Sequence, residues 1–136
     1  MAFSDPGTGR IIEQGEGLVK VTLAEACKAG DILGYSSGWK RALATVGTAI
    51  QGRLVAGEDG ASGDEITAYR RAVVSGYSGG TAGNPVYVAE GADNGEITET
   101  KPTTSDDCDT IIGYMVSATV AALEPGSRAA TVAETI

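Results

Sequence analysis

Carboxylates are the side chains of this chain with the clearest capacity for chemistry, and they cluster in two polar stretches: Glu58-Asp59 with Asp64-Glu65, and Asp106-Asp107 with Asp109. Clustered carboxylates can bind Ca²⁺ through about six to eight oxygens, or serve as the acid and base of a glycosidase. The second cluster lacks the ligand spacing and the glycine of an EF-hand loop. Aromatic residues make up 5 % of the chain, which leaves few platforms for a sugar. Both clusters are therefore interpreted as solvated loops, and an acidic hydrolase that uses Asp106, Asp107 and Asp109 remains an alternative.

The other residue types that serve enzymes are scarce. The chain contains no histidine, the commonest general base and metal ligand. No phosphate-binding loop opens a helix. Cys27 and Cys108 do not have the close spacing of zinc ligands. The sequence leaves open whether they form one disulfide or stay as two separately buried thiols, and it favours the buried thiols. The sequence predicts no enzyme, no cofactor and no metal site.

The charge balance argues against a nucleic-acid partner. The chain has 10 basic and 18 acidic residues, a net charge of −8, and its lysines and arginines are scattered. Phosphate binding requires clustered basic residues, and the adjacent pair Arg70-Arg71 is interpreted as an exposed strand end. The acidity instead suits a basic protein surface. No apolar run approaches the ~20 residues of a membrane span, and residues 1–6 lack the features of a signal peptide, so we expect neither membrane insertion nor secretion.

One pattern occurs twice along the chain and predicts its architecture. Each copy has a turn of small residues, a short apolar strand, a polar stretch and a second short strand that contains one glycine. The copies are Ala29–Tyr35 with Ala49–Ala56, and Ala82–Val88 with Thr110–Val116. Glycine inside a strand indicates a bulge or a close backbone approach, which we expect at Gly52 and Gly113. The repeat favours an all-β domain with two similar halves.

The remaining segments extend this prediction to about nine short strands in a small barrel or sandwich. Strands are predicted at 18–23, 32–35, 39–44, 48–55, 65–69, 85–88, 96–100, 110–116 and 119–123, with 71–77 as the partner or continuation of 65–69. Asn94-Gly95 is a strong hairpin signal. Residues 24–28 are predicted to form a connecting turn rather than a helix.

The domain organisation is predicted from the ends of the chain. Residues 1–17 are rich in glycine and polar side chains, and we expect them to form a flexible arm. Residues 18–126 form the β domain, and residues 127–136 form a C-terminal tail. Trp39 is interpreted either as a partner contact or, preferably, as a partly buried cap on a small core.

The turn and strand patterns resemble a known family. They occur at Ala29–Leu33, Asn84–Val88, Ile97-Thr98 and Ile111–Val116, and the closest correspondence runs from Ala82 to Val116. Over about residues 18–125 the chain resembles the small decoration, or cement, proteins of tailed-bacteriophage capsids. The resemblance implies a β-clip or β-tulip-like fold, a trimer seated at local threefold positions of an expanded capsid, and an N-terminal arm that reaches along the capsid lattice.

We therefore expect a structural virion protein that is made in the host cytoplasm and binds the outside of the capsid. Its partners would be the major capsid protein and two copies of itself. The arm would add a strand to the capsid protein, and its candidate contact residues are Phe3, Ser4, Arg10, Ile11 and Ile12. A tail- or fibre-associated β module that binds host-surface glycans is the alternative.

Overall fold

The computed structural model describes residues 3–45, 49–90, 94–103 and 109–126. All regular structure within these ranges is β, which confirms the predicted fold class. The strands are β1 (Ile11–Thr22), β2 (Ile32–Tyr35), β3 (Trp39–Arg41), β4 (Leu54–Ala56), β5 (Glu65–Ser75), β6 (Pro85–Val88), β7 (Ile97–Thr98), β8 (Gly113–Met115) and β9 (Val120–Leu123).

The sheet reflects the repeat in the sequence. Its strand order is β3-β2-β4-β5-β9-β8-β6-β7, with β1 paired to β5 beside this path. In the first half, β2 pairs antiparallel with both β3 and β4. In the second half, β6 pairs in the same way with β7 and β8. Two equivalent strand triplets therefore flank the central β5–β9 pair.

The long strands β1 and β5 form a ribbon that the sequence predicted only in part. β1 pairs antiparallel with β5 from Ile11 opposite Ser75 to Thr22 opposite Glu65. The predicted strand 18–23 is the second half of β1, and 65–69 and 71–77 form one continuous strand instead of a hairpin. Arg70-Arg71 is exposed, as predicted, but it lies in the middle of β5 and not at a strand end.

The sheet curls so that its two ends approach each other. Past the end of β3, the Ala44 amide donates to the Ala89 carbonyl at 2.9 Å, and the Gly95 amide donates to the Ala42 carbonyl at 2.7 Å. Ala89 and Gly95 lie between β6 and β7, the hairpin that Asn94-Gly95 predicted. These bonds satisfy backbone groups that would otherwise remain at a sheet edge.

Two apolar clusters form the core. The larger one includes Ile32, Val55, Val74, Ile112 and Leu123, and draws on both halves of the chain. The smaller one is formed by the first half alone and includes Leu33, Leu54 and Ile66. Adjacent residues on β2 and on β4 enter different clusters, because successive side chains of a strand point to opposite faces.

The glycine of the second repeat copy has the role that the sequence predicted. Gly113 pairs with Leu123 of β9, and a Cβ on Gly113 would lie 2.1 Å from the Ala122 carbonyl oxygen. No side chain fits at that distance, so the close approach of β8 to β9 requires glycine.

Candidate functional site

The N-terminal residues predicted to reach a partner lie instead on the domain itself. Phe3 stacks on Tyr77 with ring centroids 5.8 Å apart. Ser4 exchanges two backbone hydrogen bonds with Ser78, at 2.8 and 3.1 Å. The predicted boundary at residue 17 falls within β1. The expectation of a separate flexible arm over residues 1–17 is therefore corrected for residues 3–17; residues 1 and 2 lie outside the described part.

Arg10 is the residue that fixes this segment. Its side chain is fully buried and forms ion pairs with Asp5, at 3.2 Å, and with Asp31. Asp5 also accepts hydrogen bonds from the amides of Gly7 and Ile97, both at 2.9 Å, and so reaches β7. Buried charges of this kind are stable only when they are paired. Arg10, predicted as a capsid contact, is thus a structural residue here.

The electrostatics of this buried cluster favour the charged form of Arg10 but oppose the charged form of Asp31. Burial opposes the charge of Arg10, but Asp5 and Asp31 outweigh it and raise the pKa of the guanidinium above its ordinary value. Burial raises the pKa of Asp31, against the effect of Arg10 and of the Lys28 amide. Burial, with Asp5 nearby, raises the pKa of the Tyr77 hydroxyl far above its usual range. A neutral Tyr77 and a charged Arg10 are therefore expected at all physiological pH values.

Ile11 and Ile12 have different environments although they are neighbours. Ile12 packs against the larger core cluster, whereas Ile11 is 59 % exposed. Of the five predicted arm contacts, only Ser4 and Ile11 are exposed and available to another molecule.

Ile11 belongs to an exposed apolar surface on the outer face of the sheet. We call it the outer apolar patch; it consists of Ile11, Val73, Tyr114, Val116, Val120 and Ala122. Along one row of the sheet, Tyr114 lies opposite Ala122, which lies opposite Val73.

A second row completes the outer apolar patch. Val120 and Ile11 lie on either side of Ser75, and the Val116 amide donates to the Val120 carbonyl at 2.8 Å. Tyr114 is 54 % exposed and Val116 is 48 % exposed. On β9, the patch residue Ala122 alternates with the buried residues Ala121 and Leu123. The outer apolar patch therefore combines three exposed side chains with three half-buried ones, which are Val73, Val120 and Ala122.

Three of the four acidic residues in the first cluster accept hydrogen bonds from backbone amides. Glu58 accepts a hydrogen bond from the Thr67 amide at 2.8 Å, Asp59 from the Ala29 amide at 2.8 Å, and Asp64 from the Ala61 amide at 2.9 Å. Within the described ranges, no group of three or more acidic residues or cysteines is arranged to hold a metal ion.

The second acidic cluster is described only at one residue. Asp106 and Asp107 lie outside the described residues, and Asp109 forms a 4.0 Å ion pair with Lys101. The alternative of an acidic hydrolase therefore remains a sequence prediction.

Cys27 is a buried thiol in the smaller core cluster. Its sulfur contacts the Glu58 carbonyl oxygen at 3.7 Å. Burial raises the pKa of this thiol to about 11, with Asp31 and Asp59 adding to the effect. The thiol is thus protonated and poorly nucleophilic near neutral pH. Cys108 lies outside the described residues.

Trp39 lies at the surface over the smaller core cluster. It is half-buried, packs against that cluster, and meets Tyr35 edge to face with ring centroids 5.5 Å apart. This position fits the predicted cap on a small core. Its exposed part leaves the interpretation as a partner contact open.

One structural observation and three comparisons with known proteins complete the description. Across the described residues, the chain has no helix with the length and apolar character of a membrane span. Protein-family models, curated proteins and solved structures were all compared with the chain, and none of them matches it.

Proposed function

We propose that this protein is a structural component of a bacteriophage head, which binds the outside of the expanded capsid as a trimer and stabilises it against internal pressure. The outer apolar patch is the observation that supports a binding role. Contiguous exposed apolar surface is rare on proteins that act alone and typically marks a protein interface. The capsid as partner follows from the resemblance of the turn and strand patterns to capsid decoration proteins.

The form of the domain suits this role. A cement protein must hold its shape under load, and the buried Asp5–Arg10–Asp31 cluster ties the N-terminal segment to the barrel. A trimer would present three copies of the outer apolar patch to neighbouring capsid subunits. Modest contacts would then combine through effective concentration into strong attachment.

Capsid binding by the purified protein tests the proposal. The protein is mixed with undecorated expanded capsids of its own phage, the capsids are pelleted, and bound copies are measured by gel densitometry. We expect saturable binding that approaches equimolarity with the capsid subunit. Absence of binding would overturn the proposal, and binding to cell-surface glycans instead would favour the tail or fibre alternative.

A matched pair of variants tests the surface. Tyr114→Ser removes an aromatic ring from the outer apolar patch, and Tyr35→Ser removes a ring on β2 that is 65 % exposed against 54 % for Tyr114. We expect Tyr114→Ser to weaken capsid binding by about tenfold, as for a central interface residue, and Tyr35→Ser to bind as the unmodified protein does. Equal binding by both variants would contradict a role for the patch.

A further inference from the structure

A second surface, which adjoins the outer apolar patch at Arg71 and Glu124, combines apolar and cationic side chains. It is an open groove of about 730 Å³ beside the β1–β5 ribbon. We call it the arginine groove; its side chains include Val19, Trp39, Leu54, Arg53, Arg70 and Arg71. Val19, Trp39 and Leu54 belong to or pack against the smaller core cluster, so the apolar part of the groove has a fixed shape.

Arg70 interrupts a buried face of β5. Ile66 and Ala68 precede it at alternate positions and lie in the smaller core cluster. Ala72 and Val74 follow it at alternate positions and lie in the larger one. Arg70 has the same alternation but is exposed. The core is therefore open at this one position of the strand, and the opening is the arginine groove.

The strands around the groove leave a gap at this position. β4 pairs with β5 at Ala68 and Tyr69, and β9 pairs with it from Ala72 onwards. Neither strand is in register opposite Arg70 and Arg71. The surface beside β5 is therefore open over these two residues, between the ends of β4 and β9.

Gly17 on β1 leaves the space that the Arg70 side chain occupies. Gly17 has a φ of +68°, and a Cβ on it would lie 2.9 Å from the Arg70 Cβ. A larger residue at position 17 would be strained and would displace the Arg70 side chain. The glycine therefore allows the stem of Arg70 to lie across β1 beside the groove.

The charge at the groove is opposite to that of the molecule. The chain has a net charge of −8 and 10 basic residues, and three of those ten line this one groove. Glu124 also lines it, and Glu16 lies 3.5 Å from Arg71 at the surface. Arginine binds carboxylates through paired hydrogen bonds and stacks on aromatic rings.

We propose that the arginine groove binds an acidic, extended peptide segment of a partner protein. Carboxylates of the segment would pair with Arg70 and Arg71, and an apolar side chain would pack on the exposed parts of Trp39 and Val19. The open shape and the apolar lining favour a peptide over a small anion, which would leave Val19 and Trp39 uncovered. This inference does not rest on the proposed capsid role, and its test uses no capsids.

Trp39 allows a direct measurement, because it is the single tryptophan of the chain. The probe is a short peptide of alternating glutamate and leucine, titrated into the full-length protein while tryptophan emission is recorded. We expect a saturable change in emission that weakens at about 0.5 M NaCl, where exposed ion pairs are screened. Matched peptides of alternating lysine and leucine, and of alternating glutamate and serine, should bind at least about tenfold more weakly.

Variants assign the binding to the groove. Replacement of both Arg70 and Arg71 by alanine should weaken binding by about tenfold or more, since hydrogen bonds to charged groups are lost. Lys101→Ala removes an exposed positive charge outside the groove and should leave binding unchanged. Thermal unfolding confirms that each variant is folded.

Four results would overturn the inference. They are no change in emission with the glutamate–leucine peptide, equal affinity for the lysine–leucine peptide, unchanged binding by the folded double variant, and full competition by inorganic phosphate. Phosphate competition would identify an anion site. Self-association that the double variant abolishes would assign the groove to a second copy of this chain instead.

Discussion

At the scale of single residues, Arg10 is the side chain on which the N-terminal segment depends. It neutralises two carboxylates, Asp5 and Asp31, in a region that water does not reach. Removal of one partner from such a cluster leaves uncompensated buried charge, which is more costly than the pair is favourable.

We expect Arg10→Met to lower the free energy of unfolding by about 3–5 kcal/mol. The matched control is Arg41→Met, which breaks the partly exposed Arg41–Glu25 ion pair at 3.0 Å and should cost less than about 1 kcal/mol. Urea unfolding followed by Trp39 fluorescence measures both. Equal losses of unfolding free energy in the two variants would contradict the prediction that the buried Arg10 cluster contributes more to stability than the Arg41–Glu25 pair does.

The raised pKa of the Cys27 thiol predicts that the stability of the folded protein depends on pH. Its thiol has a raised pKa of about 11 in the folded protein, against an ordinary value of 9.0. The unfolded chain therefore releases this proton at lower pH than the folded chain does. The stabilisation is complete below pH 9 and is lost as pH rises towards about 11.

Unfolding free energies measured across this range, in a Cys108→Ser background, test the prediction. The loss of stability should be smaller in a variant that also carries Cys27→Ala, because it has no thiol to titrate at position 27. An identical pH dependence with and without Cys27 would contradict the raised pKa.

At the scale of elements, the contact between β8 and β9 depends on the absence of a side chain at Gly113. We expect Gly113→Ala to destabilise the domain by about 1–3 kcal/mol or more, because its methyl group would overlap the Ala122 carbonyl oxygen. Gly63→Ala is the comparison: nothing lies within 4 Å of the added methyl group there, so its loss reports only the backbone strain of alanine at a φ of +93°. Thermal unfolding should show a clearly smaller loss for Gly63→Ala.

The sequence predicted elements whose signals are local and missed those that depend on distant partners. Asn94-Gly95 marked its hairpin, and the apolar run at Ile32–Tyr35 marked β2, because turn chemistry and side-chain pattern are properties of neighbouring residues. Gly15 and Gly17 made the first half of β1 look flexible. That segment is ordered by β5, which lies far along the chain, and no local pattern reveals such pairing.

The candidate sites show the same limit. Arg10 and Asp31 are ordinary surface residue types, and only the fold brings them together. Arg70 and Arg71 were visible as a pair, but their position beside Trp39 depends on where β5 crosses between the two core clusters. The apolar pattern within the predicted strand 110–116 favoured a buried strand, whereas Tyr114 and Val116 are exposed. Short apolar runs do not show which residues the sheet leaves uncovered.

At the scale of the whole molecule, the docked N-terminal segment makes residues 3–22 part of the folding unit. We expect deletion of residues 1–10 to lower the midpoint of urea unfolding, because it removes Arg10, the Phe3–Tyr77 contact and the hydrogen bond that Asp5 accepts from the Ile97 amide. The independent arm predicted from the sequence would leave the midpoint unchanged. Circular dichroism and Trp39 fluorescence together distinguish the two outcomes.

The symmetric strand order has a consequence for how the chain could be divided. Each strand triplet is built from a continuous half of the sequence, and the halves meet through the β5–β9 pair, the larger core cluster and the hydrogen bonds that join Ala42 and Ala44 to Gly95 and Ala89. A cut between β5 and β6, near residue 80, would separate the triplets without breaking either one. Co-expressed fragments 1–80 and 81–136 should therefore reassemble, which would make this small barrel a candidate split reporter whose two pieces recognise each other both at the β5–β9 pair and at the closing ends of the sheet.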